Sequence, residues 1–272
     1  MMNSTHESCT VQEKFVQANG LRMFYRECGV GAPLILLHSG TAAGDEWDPL
    51  LPVFSRYFHV LAPDCRGHGR TENPAGKLSY RLMAEDTMAF SRAVDLERPV
   101  VCGWSDGGHI ALEMGIHFRD TVQALVVGAA GHSVSAESLV EYREVGFLGP
   151  GQVDFEKIEQ EMPGAVKYWQ ETHGAETWET LMIQLSHLWF SPLEHTAQLV
   201  RTIEAPVLLI SGDRDHTFSV EDAVDMYTHL MQGEMAILPN ADHVLRDTHT
   251  TMFGQIVLDF LLRHSPELLS YP

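Results

Sequence analysis

A serine flanked by glycines is the residue whose spacing most directly indicates chemistry. Residues 103–107 read Gly-Trp-Ser-Asp-Gly, with an apolar run before them and a helix-like apolar pattern after them. A serine on so sharp a strand-to-helix turn projects its hydroxyl from the backbone, and the glycines remove the Cβ atoms that would clash there. The motif predicts that Ser105 is a nucleophile.

Two further polar turns follow apolar, strand-like runs and supply an acid and a base. Residues 206–215 end in a turn with Asp213 and Asp215, and residues 234–243 end in His243. A serine hydroxyl is a weak nucleophile at neutral pH, so a base must take its proton. Histidine titrates near neutrality, and a carboxylate fixes its tautomer. The chain order serine, aspartate, histidine therefore predicts a triad on strand ends.

An oxyanion site is the fourth requirement of this chemistry, because the tetrahedral intermediate carries a negative oxygen. Its first donor is expected to be the backbone N–H of Asp106, which follows the nucleophile. The second is expected from the small-residue loop that follows the apolar run 34–37. Gly40 is the preferred donor there and Thr41 the alternative. His38 is expected mainly to hold this loop through hydrogen bonds of its ring.

Five segments together resemble the α/β-hydrolase superfamily over nearly the whole chain. They are residues 38–41 (HSGT), 64–70 (DCRGHGR), 103–108 (GWSDGG), 212–215 (GDRD) and 241–243 (ADH). The resemblance is to the group of small esterases, lactonases, perhydrolases and C–C hydrolases, and the segment 103–108 is also similar to that of valacyclovir hydrolase-like amino-acid ester hydrolases.

The resemblance also chooses between the two aspartates. In the family pattern Gly-x-x-Asp the acid stands three residues after the glycine, which favours Asp215 and leaves Asp213 to shape the turn. The chain departs from the family at Ser39, where glycine is usual, and at Ser219, where proline is frequent. We expect both departures to leave the machinery intact.

The elements that must position these residues alternate between strand and helix patterns. Alternation predicts an α/β fold with a mostly parallel, doubly wound sheet and active residues at the carboxyl ends of its strands. Asn19-Gly20 predicts a hairpin turn between two antiparallel strands. Helices are expected over residues 48–57 and 80–94, and a buried strand over residues 234–238.

Between residues 131 and 203 the alternation stops, and the sequence reads as several helices rich in aromatic residues. The resemblance implies a helical cap inserted into the α/β-hydrolase fold. We therefore divide the chain into a first core part (1–131), the cap (132–203) and a second core part (204–272). A cap excludes water and shapes an apolar pocket.

Substrate contacts are expected from four residues near this pocket: Trp104, His38, Thr41 and Trp189. The side chain of Asp106 brings a carboxylate close to the reacting centre. It would favour a cationic group on the substrate, unless local partners hold it.

Composition limits the possible partners. The 272 residues are 44% hydrophobic, and 37 acidic against 18 basic residues give a net charge of −19. This charge argues against nucleic acid and polyanionic substrates.

The sequence shows no apolar run long enough to span a membrane and no signal-peptide pattern. Four scattered cysteines, including Cys9, indicate a reducing cytoplasm. No His or Cys spacing indicates a metal site, and no cofactor is expected.

These observations predict a serine hydrolase that cleaves small carboxylic esters through an acyl-enzyme. The same triad could instead open a lactone, cleave a C–C bond beside a ketone or make peracids. A ligand receptor on a hydrolase scaffold is a further alternative, which its slow turnover would reveal. The expected partner is a small-molecule ester, and the sequence carries no signal of oligomeric state.

Overall fold

An eight-stranded sheet forms the centre of the molecule. The computed structural model describes residues 10–265. The sheet consists of β1 (Gln12–Ala18), β2 (Leu21–Cys28), β3 (Ala32–Leu37), β4 (Phe58–Pro63), β5 (Val100–Trp104), β6 (Leu125–Gly128), β9 (Val207–Gly212) and β10 (Gly233–Leu238). Their spatial order is β1-β2-β4-β3-β5-β6-β9-β10. The pairs β1–β2 and β2–β4 are antiparallel and all other pairs are parallel, as the alternating pattern predicts.

Eleven α-helices lie between and after these strands in the described residues. They are α1 (Leu51–Phe54), α2 (Tyr80–Ala93), α3 (Asp106–His117), α4 (Ala136–Val145), α5 (Phe155–Glu161), α6 (Ala165–His173), α7 (Trp178–Trp189), α8 (Ala197–Val200), α9 (Val220–His229), α10 (Leu245–Thr248) and α11 (Thr250–Arg263). The helix expected over residues 48–57 is much shorter, because a bond from Tyr57 N–H to Phe54 O closes a turn before β4 begins.

The first hairpin turns where the sequence predicts. Ala18 pairs with Leu21, so the loop has two residues. Asn19 and Gly20 have φ values of 47° and 75°. Positive φ at both loop positions is the geometry of the type I′ turn, for which Asn-Gly is the preferred dipeptide.

Burial differs sharply between the middle and the edge of the sheet. Every residue of β5, β6 and β9 is buried, as expected for parallel strands covered on both faces. In β10 only Leu238 is buried. The expectation of a buried strand over 234–238 is therefore wrong, because β10 lies at the sheet edge with β9 as its one neighbour.

The chain leaves the sheet after Gly128 and returns to it at Val207. Helices α4 to α8 fill this excursion, together with a hairpin of β7 (Phe147–Gly149) and β8 (Gln152–Val153). The sequence pattern predicted only helices here and missed this hairpin, because strands this short show no alternation of polar and apolar residues. Gly149-Pro150-Gly151 is nevertheless a turn signal. The division of the chain at residues 132 and 203 stays a prediction.

No helix within residues 10–265 is long and apolar enough to cross a membrane. Cys9 lies outside the described residues. Cys65 and Cys102 are buried thiols, and burial raises the pKa of both.

Candidate active site

Ser105 stands on a strained turn between the end of β5 and the start of α3. Its backbone has φ 53° and ψ −116°, a region that non-glycine residues rarely occupy. Glycine is required at both flanking positions, because backbone carbonyl groups approach too closely to leave room for a Cβ atom. A Cβ on Gly103 would lie 2.0 Å from the carbonyl oxygen of Gly107, and one on Gly107 would lie 2.2 Å from that of Leu37. The turn therefore presents the Ser105 hydroxyl at the carboxyl end of the sheet.

The structure brings the predicted serine, histidine and aspartate together. His243 Nε2 lies 3.1 Å from Ser105 Oγ, and His243 Nδ1 lies 2.8 Å from Asp215 Oδ2. The other oxygen of Asp215 accepts the backbone N–H groups of Thr217 and Phe218, each at 2.9 Å. These two bonds fix the carboxylate, so Oδ2 points at the imidazole.

Asp215 and His243 each stabilise the charged form of the other. Burial raises the pKa of Asp215, but His243 and the hydrogen bonds more than offset burial, so the pKa is lowered and the carboxyl is ionised near neutrality. Burial lowers the pKa of His243, but the Asp215 carboxylate more than offsets it, so the pKa lies above its ordinary value. His243 is thus a stronger base than a free imidazole.

Asp213, the other candidate for the catalytic acid, binds a backbone group instead of His243. Its Oδ1 accepts the backbone N–H of Ala241 at 3.1 Å. This bond joins the loop after β9 to the loop that carries His243, so Asp213 shapes the turn as the sequence predicts.

The expected oxyanion donors lie beside Ser105. Asp106 follows Ser105 directly, and Gly40 lines the same cavity as Ser105. A Cβ on Gly40 would lie 2.4 Å from Asp106 Oδ2 and 2.9 Å from Trp189 Cζ2. The two donor residues are therefore in close contact, and any larger residue at position 40 would force them apart.

A cavity of about 650 Å³ opens above Ser105 and His243, between the cap and the sheet. Its wall includes Thr41 and six aromatic residues: Trp104, Tyr142, Phe147, Tyr168, Trp169 and Trp189. Apart from His243 and the tyrosines, the ionisable lining residues are four acids and one arginine: Asp45, Glu46, Glu141, Asp247 and Arg246. The cavity combines apolar walls with acidic side chains.

A family model described as "Alpha/beta hydrolase family" matches residues 34–252. This chain belongs to the alpha/beta hydrolase family. The hydrolase is 27% identical over 270 residues to 2-hydroxy-6-oxo-6-(2'-aminophenyl)hexa-2,4-dienoic acid hydrolase of Metapseudomonas resinovorans, which covers 93% of this chain and 92% of the relative. It is 23% identical over 252 residues to the human serine hydrolase BPHL, covering 90% and 85% of the two chains.

Among solved structures, the hydrolase is similar to a membrane phospholipase A described as a bacterial virulence factor. The TM-score is 0.77 at 26% identity, over 92% of this chain and 86% of the other. The match over almost the full length agrees with the α/β-hydrolase fold and its mostly parallel sheet.

His38 does not contact the cavity of the hydrolase, so its assignment as a substrate contact is wrong. The side chain is buried, and both ring nitrogens are bound to backbone. Nδ1 donates to Ser39 O at 2.7 Å, and Nε2 accepts the N–H of Cys65 at 2.9 Å. Burial lowers the pKa of His38, so the ring stays neutral and holds the loop, as its hydrogen-bonding capacity predicts.

Other residues that hold the oxyanion loop were missed from the sequence. Glu46 accepts both the N–H and the hydroxyl of Ser39, and Arg246 Nη1 lies 2.6 Å from Glu46 Oε2. Burial raises the pKa of Glu46, but Arg246 more than offsets burial, so the pair is ionic. Ser39, the departure from the family glycine, thereby joins the loop to the segment that follows His243.

Two further histidines support the loop. His68 Nε2 lies 2.8 Å from Gly40 O, and His173 Nε2, on cap helix α6, lies 3.1 Å from Thr41 O. The sequence gives little signal for such contacts, since His173 is 132 residues from Thr41. They restrain the carbonyl groups of Gly40 and Thr41, the two residues predicted as alternative oxyanion donors.

Asp106 is held by a core tyrosine and a cap tryptophan. Its Oδ1 accepts the hydroxyl of Tyr80 at 2.9 Å and the Nε1–H of Trp189 at 3.0 Å. Burial raises the pKa of the carboxyl to about 6. Trp189 therefore both lines the cavity and joins the cap to the nucleophile turn.

Trp104 likewise has two contacts. It lines the cavity, and its Nε1–H donates to the carbonyl of His243 at 3.1 Å. The residue before the nucleophile thus positions the backbone of the base.

Proposed function

We propose that this hydrolase is a serine esterase that cleaves small carboxylic esters through an acyl-enzyme. One observation carries the proposal: Ser105 Oγ, raised on a strained turn, lies 3.1 Å from His243 Nε2, and Asp215 orients that imidazole from its other side. A nucleophile, its base and an orienting carboxylate in this geometry are the requirements for nucleophilic acyl transfer.

The proposed reaction assigns each group a role. Ser105 Oγ attacks the ester carbonyl while His243 Nε2 takes its proton, and the N–H groups of Gly40 and Asp106 bind the oxyanion. The intermediate collapses, and His243 returns the proton to the leaving alcohol. Water, deprotonated by His243, then attacks the acyl-enzyme and releases the acid. Asp215 stabilises the imidazolium in both halves.

The cavity favours esters that are neutral or cationic. Its aromatic walls suit an apolar acyl or alcohol group. Four acids line it, and the one arginine, Arg246, is engaged by Glu46 and Asp247. A carboxylate on the substrate would therefore enter without a free cation to bind it among the lining residues.

C–C bond cleavage beside a ketone is the second candidate, and the relatives support it. Several are hydrolases of 2-hydroxy-6-oxo-dienoic acids or of 2-hydroxymuconate semialdehyde. The same nucleophile could attack a ketone. Such an acid carries a carboxylate, however, and the acidic cavity disfavours it, so the ester proposal is preferred.

The first test is hydrolysis of p-nitrophenyl esters from acetate to octanoate, with an α-amino-acid ester beside them. We expect turnover on the order of 1 s⁻¹ or faster on the best ester, and a loss of several orders of magnitude in Ser105→Ala with the fold intact. Ser191→Ala, on the exposed cap surface, is the matched control and should be unaffected.

Turnover that survives in Ser105→Ala would refute the mechanism. A folded wild type that leaves every ester intact would refute the substrate class and move the assignment to lactones or C–C substrates. Binding of those compounds without turnover would indicate the receptor alternative.

A further inference from the structure

Two histidines and an aspartate meet on the surface outside the cavity. His132 lies in the loop after β6, where the chain enters the cap, whereas Asp225 and His229 lie one turn apart on α9. Each residue offers one ligand atom, and these atoms lie within 4.8 Å of one another. The cluster escapes a spacing search, because 93 residues separate His132 from Asp225.

The contacts within the cluster place ligand atoms side by side. His132 Nε2 lies 2.7 Å from Asp225 Oδ2, and the rings of His132 and His229 are 4.9 Å apart between centroids. Metal–ligand bonds of about 2.0–2.2 Å would fit among these atoms after small side-chain rotations. More than half of the Asp225 side chain is exposed, so an ion can reach the carboxylate from solvent.

A backbone bond prepares His229 to bind a metal. Its Nδ1 lies 2.7 Å from the carbonyl oxygen of Asp225, and a carbonyl can only accept, so Nδ1 carries the proton. The lone pair is therefore on Nε2, which is left for a ligand. Metal-binding histidines usually donate their other ring N–H to a carbonyl or carboxylate in this way.

We propose that His132, Asp225 and His229 form a binding site for a zinc-like divalent transition-metal ion. Imidazole nitrogens suit Zn²⁺ and its neighbours better than Ca²⁺ or Mg²⁺, and one carboxylate completes a common ligand set. With three protein ligands on the surface, water fills the remaining position.

The site would join the cap to the core behind the catalytic acid. α9 follows the loop that carries Asp215 and Thr217, and Ser138 of α4 already donates to Thr217 O at 2.7 Å. A metal would reinforce the contact of His132 with Asp225, a second link between the cap entrance and that part of the core. The ion stabilises this junction and takes no part in the ester chemistry.

The test is titration of the metal-stripped full chain with Zn²⁺ by calorimetry, with Co²⁺ absorption as a second readout. We expect one saturable equivalent. Its affinity should fall at least about tenfold in His229→Ala, since even outer-shell changes cost that much. His249→Ala is the matched control and should bind as the wild type does, because His249 is, like His229, a partly buried histidine that contacts its preceding threonine.

Asp225→Asn and His132→Asn provide independent variants if His229→Ala does not fold, and both should weaken binding similarly. Without metal, all three should keep wild-type ester hydrolysis. The proposal is overturned if Zn²⁺ does not bind saturably, or if the variants bind it unchanged. Binding that persists in the variants and inhibits hydrolysis would place the ion on His243 and Asp215 instead.

Discussion

At the scale of single residues, Asp215 and Asp213 provide a matched pair. Asp215 orients His243, whereas Asp213 binds the N–H of Ala241. We expect Asp215→Asn to lower kcat for ester hydrolysis by a factor on the order of 10⁴, the effect of this change in a serine protease triad. Asp213→Asn should cost far less. Equal losses in steady-state kinetics of the two variants would contradict the assignment of the acid.

The pH dependence of the same step has a defined sign. His243 acts as a base only when neutral, so kcat/KM should rise with pH through a pKa above the ordinary histidine value of about 6.5. In Asp215→Asn the burial of His243 is no longer offset, so the residual activity should rise at lower pH. If kcat/KM rises over the same pH range in the wild type and in Asp215→Asn, a group other than His243 is titrating.

The sequence predicted which serine, aspartate and histidine come together, because each stands in a short pattern at a strand end. The glycines around Ser105 and the turns at Asp215 and His243 are each visible within a few residues. That His38 holds its loop through ring hydrogen bonds was predicted, but its distant partner Cys65 and the contact of His173 with Thr41 were not, since they depend on how distant segments pack.

At the scale of elements, the contact between Asp106 and Trp189 joins the cap helix α7 to the start of α3. Burial raises the pKa of the Asp106 carboxyl from 3.8 to about 6. Between these values the folded chain binds more protons than the unfolded chain. The resulting stabilisation is complete below pH 3.8 and is lost as the pH rises through about 6.

Asp106→Asn should remove this pH dependence, because the amide does not titrate. The free energy of unfolding of the wild type minus that of the variant should therefore decrease as the pH rises across this window. Urea unfolding at several pH values measures the difference. Asp259→Asn, an exposed change on α11, is the control. A difference that is constant with pH would show that Asp106 does not titrate there.

A second cap contact lies in the core. His195, in the segment that leads back from the cap, lies 2.7 Å from Glu113 of α3, and both side chains are fully buried. Helix α3 thus holds the cap at both ends, through Asp106 and through Glu113. Neither contact could be predicted, since the partners lie more than 80 residues apart, at separations of 83 and 82.

The sequence predicted long elements better than short ones. The helix expected over 80–94 is α2 (Tyr80–Ala93), and the Asn19-Gly20 hairpin is in place. The hairpin β7–β8 and the exposure of β10 were not predicted. Strands of two or three residues lack periodicity, and the apolar run of β10 does not reveal its place at the sheet edge.

At the scale of the whole molecule, the net charge of −19 should act on charged substrates. Attraction raises the capture of cationic esters and repulsion lowers that of anionic ones, and salt screens both. We expect added NaCl to lower kcat/KM severalfold for a p-nitrophenyl ester with a trimethylammonium group and to raise it for one with a carboxylate. p-Nitrophenyl acetate is the neutral control. Parallel salt responses of all three would contradict electrostatic selection.

The central claim, covalent catalysis by Ser105, is tested most directly by mass spectrometry of the chain quenched during ester turnover. The account predicts a mass increase of one acyl group in the wild type, located on the peptide that contains Ser105, and no such increase in Ser105→Ala. An acyl group on another residue, or undiminished turnover by Ser105→Ala without any acylated chain, would contradict it.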